Sequence, residues 1–186
     1  GDALHGLTPN QIAQRRGLLL QHQLDAFPSS VLETALIGRH PWLGRWTWES
    51  RADEAMARDA LRAMGLESFA LRDVHTLSGG ERQRLAIATL LTQAPQLALL
   101  DEPLSHLDLN HQVAVLDLFS RRARDAGLAV VMVLHDINLA LRHADRALLL
   151  FGDGHHVIGP VAEVMQAELL TQLYGHPLRE LADGER

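Results

Sequence analysis

The sequence predicts an α/β fold: a parallel sheet with flanking helices, joined to a small helical lobe. Three observations carry that prediction. Short apolar runs at Leu97–Leu100, Leu128–Leu134 and Arg146–Phe151 have the length and composition of buried strands. Helical spacing of apolar residues fills the gaps between these runs, the alternation a parallel sheet requires. Residues 28–75, by contrast, show helical spacing alone.

Each element has a local reason. In the lobe, Val31, Leu32, Ala35 and Leu36 share one helical face, and Ala55, Ala60, Leu61 and Met64 another. Gly65 fits the residue that ends the second helix. Ser78 followed by Glu81 is a capping-box pattern, so a helix is expected over Ser78–Gln93. Pro95 and Pro103 bracket the strand Leu97–Leu100. A second helix is expected over Leu109–Ala126, then the strand Leu128–Leu134 and a third helix over Ile137–His143. Beyond Arg146–Phe151, Gly152-Asp153-Gly154 makes a turn into an extended His155–Ile158. Pro160 is expected in the first turn of a last helix that runs to Tyr174.

Composition narrows the function classes. At 186 residues the chain can bury one good core and a small appended lobe. Its 47% hydrophobic content excludes a disordered chain. A net charge of −6 argues against nucleic acid as the main partner. There is no cysteine, hence no disulfide and no thiol-ligated zinc. No apolar run approaches the ~20 residues that cross a bilayer, so any membrane contact is expected to be peripheral.

Three segments carry chemistry. Ser78-Gly79-Gly80-Glu81 is a helix start that can face a phosphate. Its glycines let a ligand approach the backbone, and the free first-turn N–H groups and helix dipole favour an anion. Alone, the same four residues also describe an ordinary capped helix. Asp101 and Glu102 follow a buried strand, at the end where open α/β sheets bind ligands. Neighbouring strand residues point to opposite faces, so the two carboxylates have different jobs. One can reach a magnesium ion and the other a water that attacks a phosphate. His135 follows the apolar run Leu128–Leu134 and can act as donor or cation toward a transferring phosphoryl group.

In this order the three segments resemble the ATPase cassette of ABC transporters, a fold of the P-loop NTPase type. Leu77 to Glu81 match the family signature, and Leu97 to Glu102 match its Walker B strand. Ser105-His106-Leu107-Asp108 lies where the D-loop is found, and His135 where the switch histidine is found. Gln21, after Arg16-Gly17-Leu18-Leu19-Leu20, matches the Q-loop glutamine. Gln21-His22 with Phe27-Pro28, Thr34 to His40, His106 to Gln112 and His135 to Ala140 look most like importers of iron-siderophore, haem or vitamin B12.

The resemblance implies a division of labour. Residues 1–27 would end an N-terminal β region and hold the Q-loop; 28–77 would form the helical subdomain; 78–186 would form the α/β ATPase core. Glu102 would be the general base, Asp101 and Gln21 would hold magnesium (Mg2+), and His135 would meet the γ-phosphate. Two subunits would close head to tail on two ATP molecules as a homodimer. Ser78, Gly79, Gly80 and Glu81 of each would face the ATP held by the other, with Asp108 linking the sites. The helical subdomain would touch integral membrane permease subunits at the cytoplasmic face of the inner membrane.

One departure is large. There is no G-x-x-x-x-G-K-[ST], and all 17 basic residues are arginine. The loop and lysine that grip the β- and γ-phosphates are therefore absent from this sequence. The expectation is a piece of a longer cassette, itself inactive toward ATP. The rivals are a truncated, non-catalytic module acting in assembly or regulation, and a DNA-repair-type ABC ATPase. Against the latter stands the short segment between Gln21 and Leu77.

Other residues admit two readings. Trp42, Trp46 and Trp48 make either a docking patch or a loop packed on its own lobe. His106, Asp108 and His111 have metal-ligand spacing, but the D-loop reading makes better use of Asp108. Asp136 either braces His135 or caps the helix that begins near Ile137. His155 and His156 read as solvent-facing.

Overall fold

Reciprocal caps start four helices. In a computed structural model, which describes residues 6–21, 28–44 and 46–179, these are α1 (Pro9–Arg15), α2 (Val31–Leu36), α3 (Arg51–Ala63) and α4 (Gly79–Gln93). Thr8, Ser30, Ser50 and Ser78 each accept the N–H three residues on, and Gln11, Glu33, Asp53 and Glu81 reach back. Each exchange satisfies two donors that a helix start leaves orphaned.

The chain divides into two compact units, Gly1–Leu134 and His135–Arg186. In the first, β1 (Arg16–Leu19), β2 (Leu97–Leu100) and β3 (Ala129–Met132) form a parallel sheet in the order β1-β2-β3. Leu19, Ala98 and Leu100 are buried on one face, and α4 packs against β1. On the other face Leu18, Leu99 and Val131 stand side by side. There Leu18 is 51% and Val131 59% exposed. The helix α5 (Leu109–Ala126) joins β2 to β3 and starts and stops where the sequence predicts.

The helical lobe packs on the same α4. Its buried residues are Val31, Leu32 and Ala35 on α2, and Ala57, Ala60 and Leu61 on α3, followed by Met64. Ala55 was expected on this face and is exposed. Residues 57, 60, 61 and 64 keep the i, i+3, i+4, i+7 spacing, and Ala55 falls off that stripe. Gly65 takes φ 67 just past α3, as the C-terminal glycine was expected to. A 3-10 segment, Ile37–Trp42, then pins the lobe to the far end of α4. Arg39 Nη1 donates to the Thr92 carbonyl and Trp42 Nε1 to that of Gln93.

The second unit contains α6 (Ile137–His143), β4 (Arg146–Leu150), β5 (His156–Pro160), α7 (Val161–Val164) and α8 (Ala167–Tyr174). Leu149, Val164 and Leu170 form its buried centre. Two sequence expectations change here. The strand expected over Arg146–Phe151 pairs antiparallel with β5 in a two-stranded sheet of its own. The reason is the tight turn at 152–154, where Gly154 has φ 86 and its N–H bonds the Phe151 carbonyl. The last helix is also two helices: Pro160 both ends β5 and stands as the N-cap of α7, and Gln166, extended at φ −89, ψ 154, precedes α8. Among the described residues no helix is long and apolar enough to cross a membrane.

Candidate functional site

Parallel register decides which side chains meet. Leu19, Leu100 and Met132 are aligned partners at the carboxyl ends of β1, β2 and β3. The chain therefore leaves β1 at Gln21 and β2 at Asp101 and Glu102 along the same edge. The Asp101 N–H donates to the Leu19 carbonyl at 2.8 Å, carrying the ladder one residue past the strand. Glu102 turns out of it in a left-handed backbone, φ 48. Gln21 Nε2 then donates to Glu102 Oε2 at 2.9 Å, across 81 residues of sequence. The structure thus brings together Gln21 and Glu102, with Asp101 on the adjoining strand end. His22 and Phe27, which entered the Q-loop comparison, lie outside the described residues.

At the start of α4 the predicted capping box forms. Glu81 N–H donates to Ser78 Oγ at 3.3 Å, and Ser78 N–H to Glu81 Oε2 at 2.7 Å. The Ser78 backbone N–H first, then the Ser78 hydroxyl, hold the Glu81 carboxyl below the usual range, and Arg72 adds to the effect from 3.9 Å. Gly79 and Gly80 are the first two helical residues, whose N–H groups have no intrahelical acceptor. That donor set fits a phosphate. The two glycines differ in what surrounds them. A Cβ at Gly79 would sit an ordinary 3.8 Å from the His106 ring, whereas one at Gly80 would meet the His106 carbonyl at 2.9 Å.

The segment from Glu102 to Asp108 is folded tightly against α4. Ser105 N–H and Oγ both donate to the Glu102 carbonyl, at 3.2 and 3.0 Å. Leu107 N–H donates to Leu104, and His106 adopts φ 63. Two glutamines that sequence reasoning missed hold this segment. Gln83 Nε2 donates to the Pro103 carbonyl at 2.9 Å in a buried bond. Gln112 Nε2 donates to the Leu107 carbonyl at 3.0 Å. Their signal was a polar residue at a buried helical spacing, visible for Gln83 between Gly79 and Leu85.

Asp108 caps α5. It accepts the His111 N–H at 3.0 Å and lies 2.9 Å from His111 Nδ1. The backbone donor first, then the ring, holds the Asp108 carboxyl below its usual range. Asp136 likewise caps α6, accepting the N–H groups of Asn138 and Leu139 at 2.8 and 3.1 Å. His135 is the first residue of the second unit; the cluster just described is made by residues of the first.

Among the described residues no three His, Asp, Glu or Cys side chains are grouped to hold a metal. The donors available fit a different mode. Asp101 supplies a carboxylate, and Gln21 has its amide nitrogen committed to Glu102, leaving its carbonyl oxygen to bind. One or two oxygen ligands from protein, completed by phosphate and water, is the usual share for magnesium.

The tryptophans differ in their surroundings. Trp42 is bonded to Gln93 with Arg39 over its ring at 5.2 Å, while Trp46 and Trp48 are 92% and 89% exposed.

With this geometry in hand, similarity to known proteins is specific. The family described as ABC transporter matches residues 2–105. The chain is 42% identical to the hemin import ATP-binding protein HmuV of Rhodococcus jostii, over 92% of this chain and 58% of that protein. It is 39% identical to the petrobactin import ATP-binding protein FpuD of Bacillus anthracis, over 92% of this chain and 63% of the relative. A solved metal-chelate type ABC transporter in an inward-facing conformation superimposes with a TM-score of 0.80 and 32% identity. That match covers 88% of this chain and 64% of the other. The chain thus spans about three fifths of the length of the curated relatives it matches.

Proposed function

The chain belongs to the ABC transporter family, and from that premise we propose that it forms most of an importer's ATP-hydrolysing subunit. The cargo class is a metal chelate or corrinoid: iron-siderophore, haem or vitamin B12. Hemin and petrobactin import among the relatives supports this class. Two subunits close head to tail on two ATP molecules, and residues 28–77 carry the closing motion to a permease at the cytoplasmic face of the membrane.

The observation that carries the hydrolytic part is the Gln21–Glu102 bond at the edge where Asp101 also emerges. Glu102 is the general base, its carboxylate oriented by the Gln21 amide. Asp101 and the Gln21 carbonyl hold magnesium, which would supply charge neutralisation on the phosphates. His135 meets the γ-phosphate, and Asp108 links the two sites. Ser78, Gly79, Gly80 and Glu81 present the capped start of α4 to the ATP of the other subunit.

Glu102→Gln tests this in a P-loop-bearing cassette that includes these residues, with the 186-residue chain alone as the blank. Hydrolysis should fall at least ~10²-fold, the low end for a lost general base, while nucleotide binding survives. Unchanged turnover would move the base elsewhere.

A further inference from the structure

We propose that Gln83 is a positioning residue that ties the phosphate-facing helix start to the acid-bearing strand end, and so couples the two ATP sites within one subunit. Gln83 is 8% exposed on α4, and its Nε2 reaches 2.9 Å to the carbonyl of Pro103. Pro103 directly follows Glu102 and is itself fully buried. Proline has no N–H, so this carbonyl is its sole backbone hydrogen-bonding group. One turn earlier on the helix, Gly80 lies so close to the His106 carbonyl that no Cβ fits between them. The two contacts clamp residues 103–106 onto the first turns of α4. From the other side, Ser105 folds back on the Glu102 carbonyl and Gln112 holds the Leu107 carbonyl. Any shift of the helix start must therefore move the backbone that carries Glu102.

The coupling role rests on the head-to-tail reading above. In that arrangement Ser78 and Gly79 serve one ATP, and Asp101 and Glu102 of the same chain serve the other. The Gln83–Pro103 bond then lies on the path between two sites, although Gln83 touches neither nucleotide. Removing its amide leaves a buried carbonyl unsatisfied, which loosens residues 103–107 instead of unfolding the sheet.

Two variants test this. Gln83→Met keeps length and burial but cannot donate. Gln83→Glu can donate only while its carboxyl is protonated. In the 186-residue chain, amide hydrogen exchange should quicken about tenfold at Ser105 and Leu107 in Gln83→Met, while α3 amides stay as they were. In a P-loop-bearing cassette, kcat should fall about tenfold, equivalent to ~1.4 kcal/mol. The KM for ATP should stay within about twofold, since other residues grip that nucleotide. Turnover of Gln83→Glu relative to Gln83→Met should rise as pH falls. Should Gln83→Met not fold, the pH rescue of Gln83→Glu carries the test.

Unchanged exchange would overturn the clamp. Faster exchange with unchanged kcat would overturn the coupling and leave Gln83 a packing residue. A cassette whose turnover ignores Glu102→Gln would sink the ATPase reading, and the coupling with it, while the exchange result would still decide the clamp.

Discussion

Single atoms decide much of this molecule. Gly79 and Gly80 are adjacent in sequence, yet only the second is packed against another backbone carbonyl. Gly80→Ala should therefore lower stability by roughly 1–2 kcal/mol, because backbone must shift to admit the methyl group. Gly79→Ala should be neutral or slightly stabilising, since alanine is the better helix former. Melting temperatures of the two variants check this; equal values would contradict the close contact at Gly80. A second residue-scale prediction concerns Asp53, which is 13% exposed and 2.7 Å from Arg39 Nε. Ser50 side-chain and backbone donors, then Arg39, lower its pKa from 3.8 to about 2. A depressed carboxylate stabilises the fold above its unfolded pKa and loses that contribution as pH falls through the folded one. The cost of Asp53→Asn should thus be roughly 2 kcal/mol near pH 6 and shrink between about pH 4 and pH 2. Denaturant unfolding of both proteins across that range measures it, and a gap that persists at the acid end would refute it.

At the scale of elements, local chemistry was legible and distant pairing was not. The Ser78–Glu81 cap, the strand Leu97–Leu100 and the helices Leu109–Ala126 and Ile137–His143 follow from residues within a few positions of one another. So does the placement of Asp101 and Glu102 just past a buried strand. The Gln21–Glu102 bond and the Gln83–Pro103 bond depend on how elements come together, which periodicity does not encode. The capping boxes Thr8–Gln11, Ser30–Glu33 and Ser50–Asp53 are equally local, and none has the glycine pair that follows Ser78. The start of α4 also offers a test that separates a cap from a ligand site. Ser78→Ala should cost about 1 kcal/mol of stability, the usual value of a cap. Gly79→Asp, at a site with room for a Cβ, should leave the fold intact and place a negative charge before the phosphate. In a P-loop-bearing cassette with Glu102→Gln, size-exclusion with ATP should then show monomer where the parent shows dimer. A Gly79→Asp protein that still dimerises would make the motif an ordinary helix start.

For the molecule as a whole, the first unit is organised around α4. The helical lobe packs on it, β1 lies against it, and residues 103–106 close over its first turns. This arrangement leaves the sheet covered unequally. Parallel sheets are ordinarily sheltered on both faces, and their strands read as continuous apolar runs for that reason. Here the row through Leu18, Leu99 and Val131 is sheltered on neither flank, and Leu20 and Val133 extend it, both about half exposed. An uncovered apolar row shapes the colloidal behaviour of a protein as much as its fold. The 186-residue chain should bind an environment-sensitive dye such as ANS while still native. Its sedimentation coefficient should climb with concentration above that of a 20.6 kDa monomer, and fall back in mild detergent. Polar substitutions at Leu18 and Val131 should restore a concentration-independent monomer without lowering the melting temperature, as no buried contact is lost. In storage and handling, the 186-residue chain should be limited by association through that one sheet face.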